Sequence, residues 1–203
     1  NKNSKGYIFG GIDVGSTLQR LVTVLNYATD TASNGPSAMR QSVAKHGYSV
    51  VSSDEIAISA GGYASGGTVA SADKHNLSTE VTASQSSANL TTARYQIASL
   101  HSSTYGYHLA GFTGSAYSNS IDRVNLDTFQ NVVISSTLSN QVSDARGGSA
   151  ETAGYVYGGY ITGGSRINTI EKLDFDSETT LVISGQTLSN NCSAGGPMSG
   201  VSW

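Results

Sequence analysis

The sequence predicts an all-β chain built from four copies of one unit of about 50 residues. Three columns of recurring residues point to it. The first is a glycine–aromatic segment closed by small residues. It reads Gly6-Tyr7-Ile8-Phe9-Gly10-Gly11 and Gly154-Tyr155-Val156-Tyr157-Gly158-Gly159, with a looser copy at Gly106-Tyr107-His108-Leu109-Ala110-Gly111 and a degenerate one at Ala57-Ile58-Ser59-Ala60-Gly61-Gly62. The last glycines of these copies are 51, 49 and 48 residues apart. The second column is an alternating segment a short way downstream, at residues 22–27, 72–77, 121–126 and 170–175. The third closes the unit with Ala44-Lys45, Leu90-Thr91-Thr92-Ala93-Arg94, Leu138-Ser139-Asn140 and Leu188-Ser189-Asn190.

Each column has a structural reading. Alternation in a strand places residues 7 and 9, 107 and 109, 155 and 157 on one face, where bulky side chains fill the space against a neighbouring unit. The glycine pair that follows allows a close approach or a positive φ. The second segment runs into a polar cluster such as Ala28-Thr29-Asp30-Thr31 or Asp176-Ser177-Glu178-Thr179, which signals a hairpin. The third leads into a strand of small residues that precedes the next Gly-Tyr segment. No stretch holds a 3.6-residue apolar period, so helix should be nearly absent. The units fall at about 6–56, 57–105, 106–153 and 154–203, within a single domain spanning residues 1–203.

One such unit cannot bury both of its faces alone. Stacking the units radially leaves only short, protected edges. The expected architecture is therefore a β-propeller of four four-stranded blades, at the small end of the known four-to-eight range. Residues 193–203 match the small-residue strand that precedes a Gly-Tyr strand, so the C-terminal strand is expected to complete the first blade; the alternative is an open four-blade segment of a larger ring, or one that pairs with a second chain.

Composition agrees with short strands and tight turns. Hydrophobic residues make up 37% and charged residues 12%, with Gly, Ser, Thr and Ala filling the difference. Disorder usually couples low hydrophobicity to high net charge, but here the charge is only −3 and there are 11 Tyr and 4 Phe. That balance argues against a nucleic-acid partner, which calls for a basic face. The lone Cys192 excludes an intrachain disulfide. No apolar run reaches the ~18–20 residues of a membrane span, and the opening Asn1-Lys2-Asn3-Ser4-Lys5-Gly6 is not a secretory signal.

These repeats resemble kelch-like propeller repeats over essentially the whole chain. They are more similar still to the Gly-Tyr-x-x-Gly-Gly arrays of tailed-phage virion proteins and some bacterial surface proteins. That likeness is carried by Ser118-Asn119-Ser120-Ile121-Asp122-Arg123-Val124-Asn125-Leu126-Asp127-Thr128 and by Asn168-Thr169-Ile170-Glu171-Lys172-Leu173-Asp174-Phe175-Asp176. The resemblance implies fibre, tail or capsid-decoration roles. The sequence departs from kelch repeats in lacking a Trp late in each unit, since Trp203 is the only one. The basic residue expected near the end of each unit is kept at Lys45 and Arg94 but replaced by Val142 and Cys192.

Catalytic signatures are missing. His46, His75, His101 and His108 fall in different repeat columns and lack zinc spacing. Cys192 reads as a small packing residue rather than a copper-linked thioether partner. No Gly-x-Ser-x-Gly elbow occurs. The run Gly61-Gly62-Tyr63-Ala64-Ser65-Gly66-Gly67 lacks the helix that a phosphate loop requires. Asp122, Asp174 and Asp176, beside Arg123 and Lys172, read as solvated cross-strand charges. The expectation is a protein that is not an enzyme and uses no metal or cofactor.

The candidate binding residues are the aromatics after the glycine pairs, Tyr63, Phe112 and Tyr160, with Tyr117 and Arg166 in the loops that follow. Ile12 holds the position in the first copy. Repeated aromatics on loops can stack on sugar rings or anchor a protein partner, or simply pack one unit on the next. The sequence thus points to a structural or interaction module of a virion or cell surface that contacts other protein subunits. The alternative is a lectin-like propeller that binds a surface glycan. Neither reading calls for nucleic acid or membrane insertion.

Overall fold

The structure of the chain, a computed structural model, describes residues 4–193. It is all-β and built from antiparallel sheets. Sheet I joins β1 (Lys5–Ile12), β2 (Leu18–Asn26) and β3 (Thr31–Asn34). Sheet II has the order β4 (Ser49–Ser52), β5 (Ile56–Ala60), β8 (Ala72–Asn76), β9 (Val81–Ser84), with the small hairpin β6 (Tyr63–Ala64) and β7 (Gly67–Thr68) inserted after β5. Sheet III runs β10 (Ala98–His101), β11 (Tyr105–Leu109), β12 (Ile121–Asn125), β13 (Asn131–Val133). After β14 (Val142–Ser143) comes sheet IV, in the order β15 (Arg146–Ser149), β16 (Ala153–Tyr157), β18 (Ile167–Asp174), β19 (Thr180–Cys192); β17 (Tyr160–Ile161) pairs with β14. Only two 3-10 turns, Ser37–Met39 and Ser86–Ala88, interrupt the strands among the described residues.

The repeat columns take matching backbone conformations. Gly10, Gly61, Ala110 and Gly158 have φ of 47°, 72°, 62° and 64°, and the glycine after each has φ of 115°, 111°, 108° and 108°. That second value is closed to side chains, which is why the last residue is Gly in every copy. At the outer hairpins, Asn26, Asn76, Asn125 and Asp174 accept backbone N–H bonds within the turn through Oδ1. Four residues on, Asp30, Glu80, Phe129 and Glu178 are left-handed, at φ 52°, 56°, 59° and 53°. Side-chain capping by Asn or Asp explains how one hairpin recurs on a variable sequence.

Neighbouring sheets are joined by core packing and by one recurring polar anchor. Val51, Ile58, Leu90, Ile97, Val124 and Leu126 form a core between sheets II and III, while Leu100, Tyr107, Leu109, Leu138, Val156 and Leu173 form one between III and IV. A carboxylate on the third strand of each later sheet receives the segment arriving from the sheet before. Asp73 accepts from Ser42 N and Oγ, Asp122 from Thr91 N and Oγ1, and Glu171 from Ser139 N and Oγ.

This corrects the reading of Asp122 as solvated. Its side chain is fully buried, and Oδ2 lies 2.6 Å from Arg94 Nη2. Asp122 stands opposite His108 in the ladder, on the face turned toward the incoming Thr91–Arg94 segment, so the alternation rule assigned it to the wrong side. Arg123 points the other way and pairs with Glu178 at 2.8 Å. Asp174 is bonded by Lys172 at 3.2 Å along the same strand rather than across strands as expected.

A second difference concerns the end of the last unit. Leu90 and Leu138 are buried where their segments cross to the next sheet, but Leu188 is half-exposed and stays within β19, paired along β18. Among the described residues, no sheet downstream covers it. The strand expected to complete the first unit lies outside the described residues beyond Ser193, and sheet I has three strands.

Candidate functional site

The loop end of the sheets collects the rings. Each segment crossing to a new sheet forms a two-bond antiparallel bridge with the residue just after that sheet's glycine pair. His46 pairs with Tyr63, Tyr95 with Phe112, and Ser143 with Tyr160. The glycines permit this, since a Cβ at Gly62 or Gly111 would press on the carbonyl of His46 or Tyr95.

The bridges stack side chains into an aromatic ladder. Ring centroids lie 5.7 Å apart for His46–Tyr63, 5.3 Å for Tyr63–Tyr95, 5.9 Å for Tyr95–Phe112 and 5.1 Å for Phe112–Tyr117. The contacts are tilted or edge-on, the geometry that ring quadrupoles favour. Tyr63 is the most open rung at 39% exposure. The ladder stops where Ser143 replaces a ring. Tyr160 therefore stands apart with Arg166, whose guanidinium lies 4.8 Å from the ring centroid and whose Nη2 donates to Tyr160 Oη at 2.5 Å.

Beneath the ladder lies a buried polar row. Lys45 Nζ donates to Ser71 O at 2.9 Å, and burial pulls its pKa down to about 8 against the opposing pull of Asp73. Arg94 Nη2 also donates to His108 O at 3.0 Å. His108 shares a hydrogen bond with Ser49 Oγ at 2.8 Å, and burial pushes it down to about 3. Burial holds His75, bonded to Ser59 and Thr82, down to about 4. Burial alone would raise Asp122, but the Arg94 charge and the bonds from Thr91 and Asn131 outweigh it and hold the carboxyl below its usual range. Lys45, the Arg94–Asp122 pair and the His108–Ser49 bond join neighbouring sheets, the bonds of His75 lie within sheet II, and Arg94 Nε and Nη1 and His108 Nε2 are buried without a hydrogen-bond partner. Among the described residues, no group of three or more His, Cys, Asp or Glu could hold a metal ion.

Of the residues expected at the site, Tyr63, Phe112 and Tyr117 come together and Tyr160 with Arg166 forms a separate pair. His46 and Tyr95 were missed. They directly follow Lys45 and Arg94 in the third repeat column, and an aromatic at that position in both copies was the available signal. A cleft of about 440 Å³ adjoins the ladder through His46 and is lined by Tyr7, Ile8, Phe9 and Gly11 of β1 and by Gly47, Tyr48 and Val50. Among known proteins, no family model matches this sequence and no curated protein matches it.

Proposed function

We propose that the chain is a non-catalytic interaction module: four kelch-like blades forming a β-propeller, serving as a structural or decoration component of a virion or cell surface. The observation that carries this reading is the reuse of one sheet-to-sheet joint. A buried carboxylate receives the preceding segment at Asp73, Asp122 and Glu171 in turn. Repeats that contact only their neighbours build rigid scaffolds, and radial stacking protects their edges. The three-stranded sheet I, with its cleft along β1, fits a first blade whose remaining strand the repeat pattern assigns to residues 193–203. The titratable groups support the same view, since the buried ones are engaged in joints rather than gathered around a substrate-sized space.

The test is surface proteolysis and cross-linking of intact particles or cells that express the chain. Stoichiometric recovery with the particle, cross-linked to fixed neighbouring subunits, is the expected result. Recovery only as free protein, or turnover by the purified chain, would refute the reading.

A glycan-binding role is the second reading, and the open ring of Tyr63 together with the Arg166–Tyr160 pair favours it. Aromatic faces stack on sugar rings, and an exposed guanidinium donates to their hydroxyls. A glycan array should then show hits that vanish in Tyr63→Ala or Tyr160→Ala. An array without hits leaves the ladder as packing between units.

A further inference from the structure

We propose that sheet IV docks onto sheet I of the same chain through a fourth joint, with Tyr155 and Lys172 facing Tyr27 and Asp30. This rests on the ring reading above and names the contact that closes the ring.

The three joints in the structure share a plan. A residue midway along the strand that carries the Gly-Tyr repeat segment meets the outer hairpin of the next sheet. From I to II, Tyr7 Oη donates to Leu77 O at 2.9 Å and to Glu80 at 3.4 Å. From III to IV, Tyr107 Oη donates to Glu178 at 3.3 Å, and its ring stacks on Phe175 at 5.2 Å. From II to III the strand residue is Ile58, and it shares a core with Leu126 and Phe129. The pairing co-varies: a Tyr meets a Glu, and an Ile meets a Phe.

A cation completes each joint. Lys5 reaches Glu80 at 2.6 Å, Lys74 lies 4.5 Å over the Phe129 ring, and Arg123 reaches Glu178 at 2.8 Å. Lys74 and Arg123 hold the same ladder position, opposite Ile58 and Tyr107; Lys172 holds it opposite Tyr155.

Transferring the plan to the last pair of sheets gives a full set. Tyr155 corresponds to Tyr7 and Tyr107, Asp30 to Glu80 and Glu178, and Tyr27 to Leu77 and Phe175. A Tyr again meets an acid, with a Lys beside it. In the structure these groups are not paired with one another. Asp30 is exposed, Tyr27 is 55% exposed, and Lys172 bonds Asp174 on its own strand.

The interior of the fourth joint is matched as well. Lys45 accompanies Asp73, and Arg94 pairs with Asp122. At the corresponding positions sheet IV carries Cys192 and sheet I carries Thr23. Both charges are lost together, so closure strands neither in the interior.

A knob-and-hole feature changes in step. Val51 fills the space over Gly106 and Leu100 the space over Gly154, so that a Cβ on either glycine would collide with them. Sheet IV has Gly148 as its knob, and the space over Gly6 is taken by Tyr27 Oη from sheet I itself.

The test uses the full chain with Cys192→Ser, which removes the only thiol. Asp30→Cys with Tyr155→Cys is treated with a short bismaleimide spacer, and the products are read by mass and peptide mapping. Tyr107→Cys with Glu178→Cys, across an observed joint, is the control. Asp30→Cys with Lys172→Cys reads the same contact with Tyr155 kept, should the first pair not fold. The expected result is a monomer linked between residues 30 and 155, or 30 and 172, at the control's yield. A linked control without the 30–155 and 30–172 products means an open arc, and links only between chains mean docking to a second copy. Both outcomes overturn the proposal while leaving the repeat fold standing. An unlinked control overturns the repeat reading itself.

Discussion

Asp122 illustrates how a single residue can reverse its pattern. In Ile121-Asp122-Arg123-Val124 it looks like an outward carboxylate, yet it is the buried partner of Arg94. Truncating one member of such a pair leaves the other charged in the interior. Asp122→Ala should cost about 3–5 kcal/mol, seen as a lower denaturant midpoint at unchanged slope. Arg94→Met with Asp122→Leu should recover most of the loss, because two apolar residues need no partner. A double variant no better than the single one would count against the pair. Ala110 is a second case. It occupies the left-handed position that is Gly in the other three copies, at φ 62°. Ala110→Gly removes strain of roughly 1–2 kcal/mol and adds an entropic cost of roughly half that, so a small rise in thermal midpoint is expected. A fall in the midpoint would mean that the Ala110 methyl contributes more to the core than its backbone conformation costs.

At the level of elements, the strands and outer hairpins were legible because side-chain alternation and Asn or Asp capping act over a few residues. The joints were not legible, because their partners lie far apart in sequence: Val51 meets Gly106, and Leu100 meets Gly154. Gly106→Ala drives its Cβ into Val51 and should destabilise by about 1–3 kcal/mol as overpacking. Val51→Ala vacates that space, so the double variant should lose less than the sum of the two single losses. Simple additivity in chemical unfolding would show that the two sheets do not meet there. The long β19 makes the same point. Leu188 has the sequence of a crossing segment, yet it stays within β19 and is half-exposed.

Across the whole molecule, buried titratable groups should set the pH response. His75 and His108 are held down to about 4 and about 3. The unfolded chain binds protons first as pH falls through about 6.5. Their stability contribution is therefore complete above that value and is lost progressively toward 4 and 3. Asp122, also held low, adds its loss below the ordinary carboxylate range. Lys45 acts at the alkaline end. Its native pKa of about 8 lies below the usual 10.5, so the unfolded chain holds more protons between those values and stability should rise with pH across that window. Urea midpoints measured from about pH 3 to 10, below the range where the raised Tyr48 and Tyr107 hydroxyls pull stability down again, should show an acid decline, a neutral plateau and an alkaline rise. Lys45→Met should abolish the rise; its persistence would move the assignment to another group.

The sequence by itself determined the all-β class, the strand and hairpin positions and the glycine pairs, because periodicity, turn chemistry and forbidden φ values are properties of a short stretch of chain. It also named three rungs of the ladder, Tyr63, Phe112 and Tyr117. Only the tertiary structure decided that His46 and Tyr95 complete the ladder, that Ser143 ends it, and that Asp122 and Arg94 are interior. Those outcomes depend on which segment crosses to which sheet, and the stabilisation comes from burial between residues tens of positions apart, which no local pattern records.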